Sequence, residues 1–276
     1  MALYFTSINS GSNGNCYYVG NEDEAILVDV GLTCKEVEKR MLRLNLSLEK
    51  VKAVFISHEH SDHIKGLAVF AKKYKIPVYI SAATLKSSKL ALDEHKTFGL
   101  SHIQNIQIGK LQITAFSKFH DAADPYSFTV ECNGVRVGVF TDIGSVCDRL
   151  VSQFKRCHAA FLESNYCANM LANGQYPYFL KRRITSGRGH LSNAQALDLF
   201  LNHRPDYMSH LLLSHLSKDN NDPFLVEQMF NDVAGNTMIK VASRDCETEV
   251  YYVSDQNFKS YHFDPSLYQP EQLNLF

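Results

Sequence analysis

Apolar and polar positions alternate in two rhythms along this 276-residue chain. Short apolar runs bounded by turn residues predict strands at 17–19 and 25–30, around a turn at 21–23, with Gly31 closing the second. Further strands are predicted at 51–56, 77–80, 111–119, 127–132, 211–213 and, after an Asn133-Gly134 turn, at 135–140. Between them the spacing becomes helical. Ile64, Leu67, Ala68, Ala71 and Tyr74 fall on one face of a helix predicted over 64–74. A short amphipathic helix is predicted over 193–201 with Ser192 as its cap, and Asp222-Pro223 opens another that Gly235 ends. No low-complexity linker or Pro/Gly-rich hinge interrupts the pattern. The expectation is one mixed α and β domain, of class α+β, over 1–268, followed by a tail at 269–276.

Four of the apolar runs deliver a metal-competent side chain to the next loop. AVFIS leads to His58, ITAFSKF to His120, VGVFT to Asp142 and LLLS to His215. Strand ends are rigid mounts, so these groups converge if the strands share one edge of a sandwich. Strands that merely end in polar residues account for one or two such cases, not for four beside a histidine cluster. That cluster is SHEHSDH, residues 57–63. Side chains alternate along an extended segment, so His58 and His60 can point the same way. Asp62 and His63 then turn at the head of the next helix, and the stretch can serve two neighbouring cations, with Glu59 and Ser61 as spacers.

Imidazole and carboxylate donors suit zinc, manganese or iron, with zinc foremost. The absence of cysteine from the cluster removes the bias toward a closed structural zinc. Two ions roughly 3.5–4 Å apart can acidify a bridging water into hydroxide and clamp phosphoryl oxygens. A bridging carboxylate is needed, and Asp142 is the candidate. An isolated histidine is most often a surface or satisfied core residue; it is the spacing over 58–63 that departs from this.

The formal net charge of −1 means that a polyanion would have to be met by a local patch. Seven scattered cysteines without a Cys-x-x-Cys suit a reduced compartment rather than a disulfide framework. The first residues lack a basic start followed by an apolar stretch, and no apolar run approaches the roughly 20 residues of a spanning helix. A cytoplasmic protein with no membrane partner is expected.

HEHSDH is similar to the H-x-H-x-D-H signature of the metallo-β-lactamase superfamily. ILVDVG resembles that family's early Asp-x-Gly, which implies that Asp29 supports the ligand loop. FHDAADP, FTDIG and LSHLSKDNND match the later motifs at His120, Asp142 and His215. The resemblance implies an αβ/βα four-layer sandwich with its site along one edge. It places one ion on His58, His60 and His120 and the other on Asp62, His63 and His215, with Asp142 serving both. SINSGSNGN, SHEHSDHIKG, ESN and GHLSN narrow the resemblance to the YycJ/WalJ group, related to ribonuclease Z. That group implies a metal-dependent nuclease, an exonuclease on DNA. One departure is Tyr166, where the group often has histidine, which puts a substrate contact there in doubt.

Metals alone do not choose among lactam, thioester and phosphodiester. Gly189-His190-Leu191-Ser192-Asn193 runs into a helix, so its backbone, Ser192 and Asn193 are candidates to face a phosphate. Glu163 with His190 resembles the Glu–His pair that assists the leaving oxygen in ribonuclease Z-like enzymes, with His190 as the acid; Asp62 would orient the attacking hydroxide. Lys181, Arg182, Arg183 and Arg188 cluster just upstream and could track phosphates, although a solvated helix face is an equal reading of any one. The end of the chain, PEQLNLF, resembles the QLxLF peptide that docks bacterial replication proteins on the sliding clamp. Gln272, Leu273, Leu275 and Phe276 would make that contact. A hydrolase of thioesters, lactones or lactams remains the alternative, and then a non-catalytic regulatory protein, a class that loses ligands.

Overall fold

Val135–Phe140 is buried at all six positions, so it must lie between two covering layers. Its odd-numbered valines enter one apolar cluster and Phe140 enters another, as the alternation of a strand requires. A computed structural model describes residues 2–254 of the chain and shows what covers each face.

The strands among the described residues are β1 (Leu3–Asn9), β2 (Cys16–Gly20), β3 (Ala25–Val28), β4 (Val51–Phe55), β5 (Val78–Ile80), β6 (Thr97–Gly99), β7 (Gln104–Ile108), β8 (Leu111–Ser117), β9 (Tyr126–Cys132), β10 (Val135–Phe140), β11 (Ala159–Glu163), β12 (His210–Ser214), β13 (Met238–Val241) and β14 (Tyr251–Val253). They form two sheets, ordered β14-β1-β2-β3-β4-β5-β6 and β13-β12-β11-β10-β9-β8-β7. The central core joins Phe5, Tyr17 and Phe55 of the first sheet to Phe128, Val137 and Phe161 of the second. Each such fully buried side chain contributes about 1.5–3 kcal/mol. On the outer face of the first sheet, Val37 and Met41 of helix Cys34–Arg43 and Leu67 and Phe70 of helix Leu67–Tyr74 pack on Leu27 and Val54. On the outer face of the second, Leu150, Ala196, Phe200, Val226 and Phe230 from three helices pack on Leu162 and Leu213. The layers therefore run helix, sheet, sheet, helix.

Strand direction decides where the chemistry collects. β9 is antiparallel to both β8 and β10, so β8 and β10 run the same way. β10, β11, β12 and β13 are parallel to one another. The C-terminal ends of β8, β10, β11 and β12 therefore share one edge. Tyr126 N–H donates to the Ser57 carbonyl at 2.9 Å, which stitches the end of β4 in the other sheet to that edge.

Two local expectations change. The predicted helix over 64–74 is two helices, Ser61–Ile64 and Leu67–Tyr74. They part at Gly66, where a Cβ would stand 2.0 Å from the Leu32 carbonyl oxygen. The helix opened by Asp222-Pro223 stops at Asn231, and Gly235, at φ +60°, belongs to the connection after it. Asn133 and Gly134 do make the left-handed turn between β9 and β10, at φ 49° and 82°. The predicted tail at 269–276 lies outside the described residues.

Candidate metal centre

Each strand end presents a polar side chain to the shared edge, and their atoms meet. His58 Nε2 lies 2.9 Å from His60 Nδ1, and His120 Nε2 lies 3.4 Å from the same His60 atom. Asp62 Oδ2 lies 3.4 Å from His63 Nε2 and 3.5 Å from His215 Nε2. In each of these two triads the donor atoms fall within 4.8 Å of one another. Asp142 stands between them: Oδ2 is 3.3 Å from His63 Nε2, and Oδ1 is 3.8 Å from His120 Nε2 and 3.4 Å from His215 Nδ1. Asp142 Oδ2 and His215 Nε2 are buried without a hydrogen-bond partner. Orphaned donors of this kind, in an N/O set with no thiolate, fit divalent cations.

The supports are as specific as the ligands. Asp29 accepts from the Ser57 amide at 2.8 Å, the Ser57 hydroxyl at 2.7 Å and His63 Nδ1 at 2.7 Å. This leaves His63 Nε2 turned toward Asp62 and Asp142 and fixes its tautomer. Asp29, Asp142 and His215 are non-glycine residues at φ 62°, 53° and 55°, the left-handed region, where each costs of order 1 kcal/mol or more. Gly31 is required by proximity: a Cβ there would stand 1.7 Å from the Asp62 carbonyl oxygen.

Glu163, at the end of β11, is fully buried and joins five groups. Its oxygens accept from the amides of Asp142, Ile143 and Leu191, at 3.2, 2.8 and 3.0 Å. They also bond His190 Nδ1 at 2.8 Å and His215 Nδ1 at 2.9 Å. Burial favours the neutral acid, but the His190 charge and these hydrogen bonds outweigh it and hold Glu163 down at about 2. Burial likewise opposes charge on His63 and His215. Asp142 and Asp62 win at both, raising His63 well above the histidine range and His215 to about 10. His58 and His120 go the other way: burial, helped by neighbouring cations, pushes His58 well down and His120 to about 4. The edge thus contains neutral imidazoles on one side and carboxylate-paired ones on the other.

Several participants were not anticipated. Asn15 is buried, donates to Asp62 Oδ2 and approaches His63 Nε2, both at 3.1 Å, while its Oδ1 receives Gly11 N–H at 3.0 Å and Tyr17 O–H at 3.1 Å. Lys118 is buried beneath the site, donates to the Thr141 carbonyl at 2.6 Å, and has its pKa lowered by burial. Asn165 donates to the His215 carbonyl at 2.7 Å. Glu59 is not a bare spacer, since its Oε1 accepts from Ala123 N–H at 2.8 Å and clips the loop after His120.

One anion-binding expectation is corrected. The amides of 189–193 all have internal acceptors, in order Ser186 O, Ile184 O, Glu163 Oε2, Gln195 Oε1 and Tyr166 O. The Ser192 hydroxyl caps Gln195 N–H, and Asn193 Oδ1 accepts from Ser164 and Asn221. Neither the backbone nor these two side chains remain for a phosphate. His190 lines a cavity of about 190 Å³ beside His215, as does Arg183, which is ion-paired with Asp121. Lys181 donates to the Ala172 carbonyl at 2.7 Å, and Arg188 is exposed. Tyr166 packs with Leu171 and Ile184.

Residues 10–123 match the metallo-beta-lactamase superfamily. The exodeoxyribonuclease YycJ of Bacillus anthracis is 36% identical over 226 residues, covering 80% of this chain and 85% of that protein. The chain belongs to the metallo-β-lactamase superfamily. Within it, the exodeoxyribonuclease WalJ of Streptococcus pneumoniae is 31% identical, over 79% of this chain and 82% of that protein. The fold is shared with the metallo-beta-lactamase fold protein YhfI of Bacillus subtilis, at TM-score 0.71 and 20% identity over 91% of this chain and 99% of that one. The protein is therefore a metal-dependent hydrolase, and its YycJ and WalJ relatives carry the names of nucleases. No helix among the described residues is long and apolar enough to cross a membrane.

Proposed function

We propose that this hydrolase is a phosphodiesterase that binds two divalent ions and removes nucleotides from DNA ends. The observation that carries the reading is the Glu163–His190 pair, held at 2.8 Å beside the two triads, with Asp142 between them. Two relatives named exodeoxyribonucleases, each alike over about four-fifths of the chain, support DNA as the substrate.

His58, His60 and His120 would hold one ion and Asp62, His63 and His215 the other, with Asp142 contributing to both. Ions bound there supply Lewis acidity to the phosphoryl oxygens and acidify the attacking water, and zinc, manganese and iron all suit the donors. Asp62, itself held by Asn15, orients that water. His190 is fixed through Nδ1 by Glu163, which leaves Nε2 to pass a proton to the leaving oxygen. Asp29 keeps His63 in the tautomer that presents Nε2 to the site. Gln272, Leu273, Leu275 and Phe276, outside the described residues, would tether the enzyme to a sliding clamp; deleting 272–276 then abolishes clamp binding.

The test is digestion of end-labelled single- and double-stranded DNA and RNA, with Asp142→Asn as control. Progressive shortening of DNA by the wild type and none by the variant is the expected result. Turnover of a thioester or lactone with every strand left intact overturns the reading.

A further inference from the structure

Between β11 and the helix Asn193–His203 the chain makes an excursion over 164–192, containing the helices Ala168–Asn173 and Tyr178–Ile184. Its own core is small: Tyr166, Leu171 and Ile184, with Tyr176 and Leu180 against them. On its surface Tyr178 and Phe179 are 75% and 74% exposed. The Arg182 guanidinium lies over the Tyr178 ring, 5.9 Å from its centroid. The helix Tyr178–Ile184 bears three basic residues and no acidic one, in a chain whose net charge is −1.

This surface is continuous with the metal centre. Tyr176 and Arg183 line the cavity of about 190 Å³ that holds His190 and His215. Tyr176 also lines a second cavity of about 550 Å³, with Tyr178, Lys181 and Arg182. A chain with its phosphate beside His190 would thus pass Arg183 and Tyr176 and reach Tyr178 and Arg182. Flat rings interleaved with cations match an unpaired strand, whose bases stack while its phosphates are neutralised. Inside a paired duplex the base faces are covered by their neighbours, so a blunt end offers the rings a single terminal face where an unpaired strand offers several.

We propose that the 164–192 excursion is a stacking platform for unpaired nucleotides, with Tyr178 and Phe179 as its rings and Lys181 and Arg182 as its phosphate contacts. The inference rests on the phosphodiesterase reading and narrows its substrate to strands with a single-stranded end.

The test measures binding of the metal-loaded protein to a fluorescent, phosphorothioate-linked oligonucleotide that resists cleavage, as a single strand and as a blunt duplex. The Tyr178→Ala/Phe179→Ala variant should bind the single strand at least about tenfold more weakly. Tyr178→Phe should bind like the wild type, because the ring is kept. Replacing both rings by leucine should lose affinity as alanine does, because apolar area remains but stacking does not. Leu42→Ala, 76% exposed on the helix Cys34–Arg43 over the other sheet, should change nothing. Thermal melting confirms that each variant is folded. Undiminished binding by the double variant overturns the platform, as does equal loss of single strand and duplex. If the wild type shortens end-labelled strands while the ring variants bind normally, the platform falls and the phosphodiesterase stands. A wild type that neither binds nor cleaves any strand removes both.

Discussion

At the sandwich edge His58, His63, His120, Asp142, Glu163 and His215 are all buried, and each stands at the end of a strand or at the head of the helix that follows one. At the rim, Tyr178, Phe179, Arg182 and Arg188 are exposed on an excursion with only a small core of its own. The two regions meet at Arg183 and His190 yet are built on opposite principles. The edge is fixed by both sheets, so its geometry cannot shift without disturbing the main core. The rim can change residue by residue at little cost in stability. On the proposed reading labour is divided: the edge sets the class of reaction, and the rim sets which molecule is presented to it.

The largest effect that would test this division is at the shared carboxylate. Asp142→Asn should reduce hydrolysis to background and lower the metal content, measured by elemental analysis after gel filtration, with the circular dichroism spectrum unchanged. Next is the acid. His190→Ala should lower kcat by about 100- to 10,000-fold with metal content intact, whereas a fall in metal content would move His190 from proton transfer to ion binding. Asp29→Asn acts through His63 and Ser57, which Asp29 holds, and should weaken metal affinity about 10- to 100-fold in a chelator competition.

Loading should also depend on pH. In the metal-free protein the surrounding carboxylates keep His63 and His215 protonated at neutral pH, so an incoming cation must displace those protons. Affinity should therefore rise with pH from neutral upward, with proton release visible by calorimetry in two buffers. A pH-independent affinity would contradict the paired state of these rings. The smallest effect belongs to the rim: Arg182→Ala should leave the melting temperature unchanged and lower the slope of log affinity against log salt by about one.

The cluster of candidate donors that the structure brings together was legible because imidazoles and carboxylates at strand ends and at 58–63 have no use in an apolar core. Its supports were not. Asn15 sits in a run of small polar residues that reads as a loop, and its role exists only because β2 brings it beside Asp62. Lys118 reads as an ordinary polar residue, yet it is buried with its ammonium on the Thr141 carbonyl. β1 escaped notice because Thr6, Ser7 and Asn9 are buried among its apolar residues, which erases the alternation that announces a strand. The 189–193 segment looked like an open helix start, but Glu163, Gln195 and carbonyls elsewhere in the chain had already taken its amides. Tyr178 and Phe179 lie in PYFL, a stretch with no pattern that predicts their exposure; that depends on how the excursion packs.

The central claim, two cooperating ions acting on a nucleic-acid phosphodiester, is tested most directly by titrating chelator-stripped protein with manganese or zinc and following the shortening of an end-labelled DNA strand. The proposed pair of sites, the two triads with Asp142 between them, predicts no cleavage without metal and a plateau at two equivalents per chain. A plateau at one equivalent, or a strand left intact at every metal level, would contradict it.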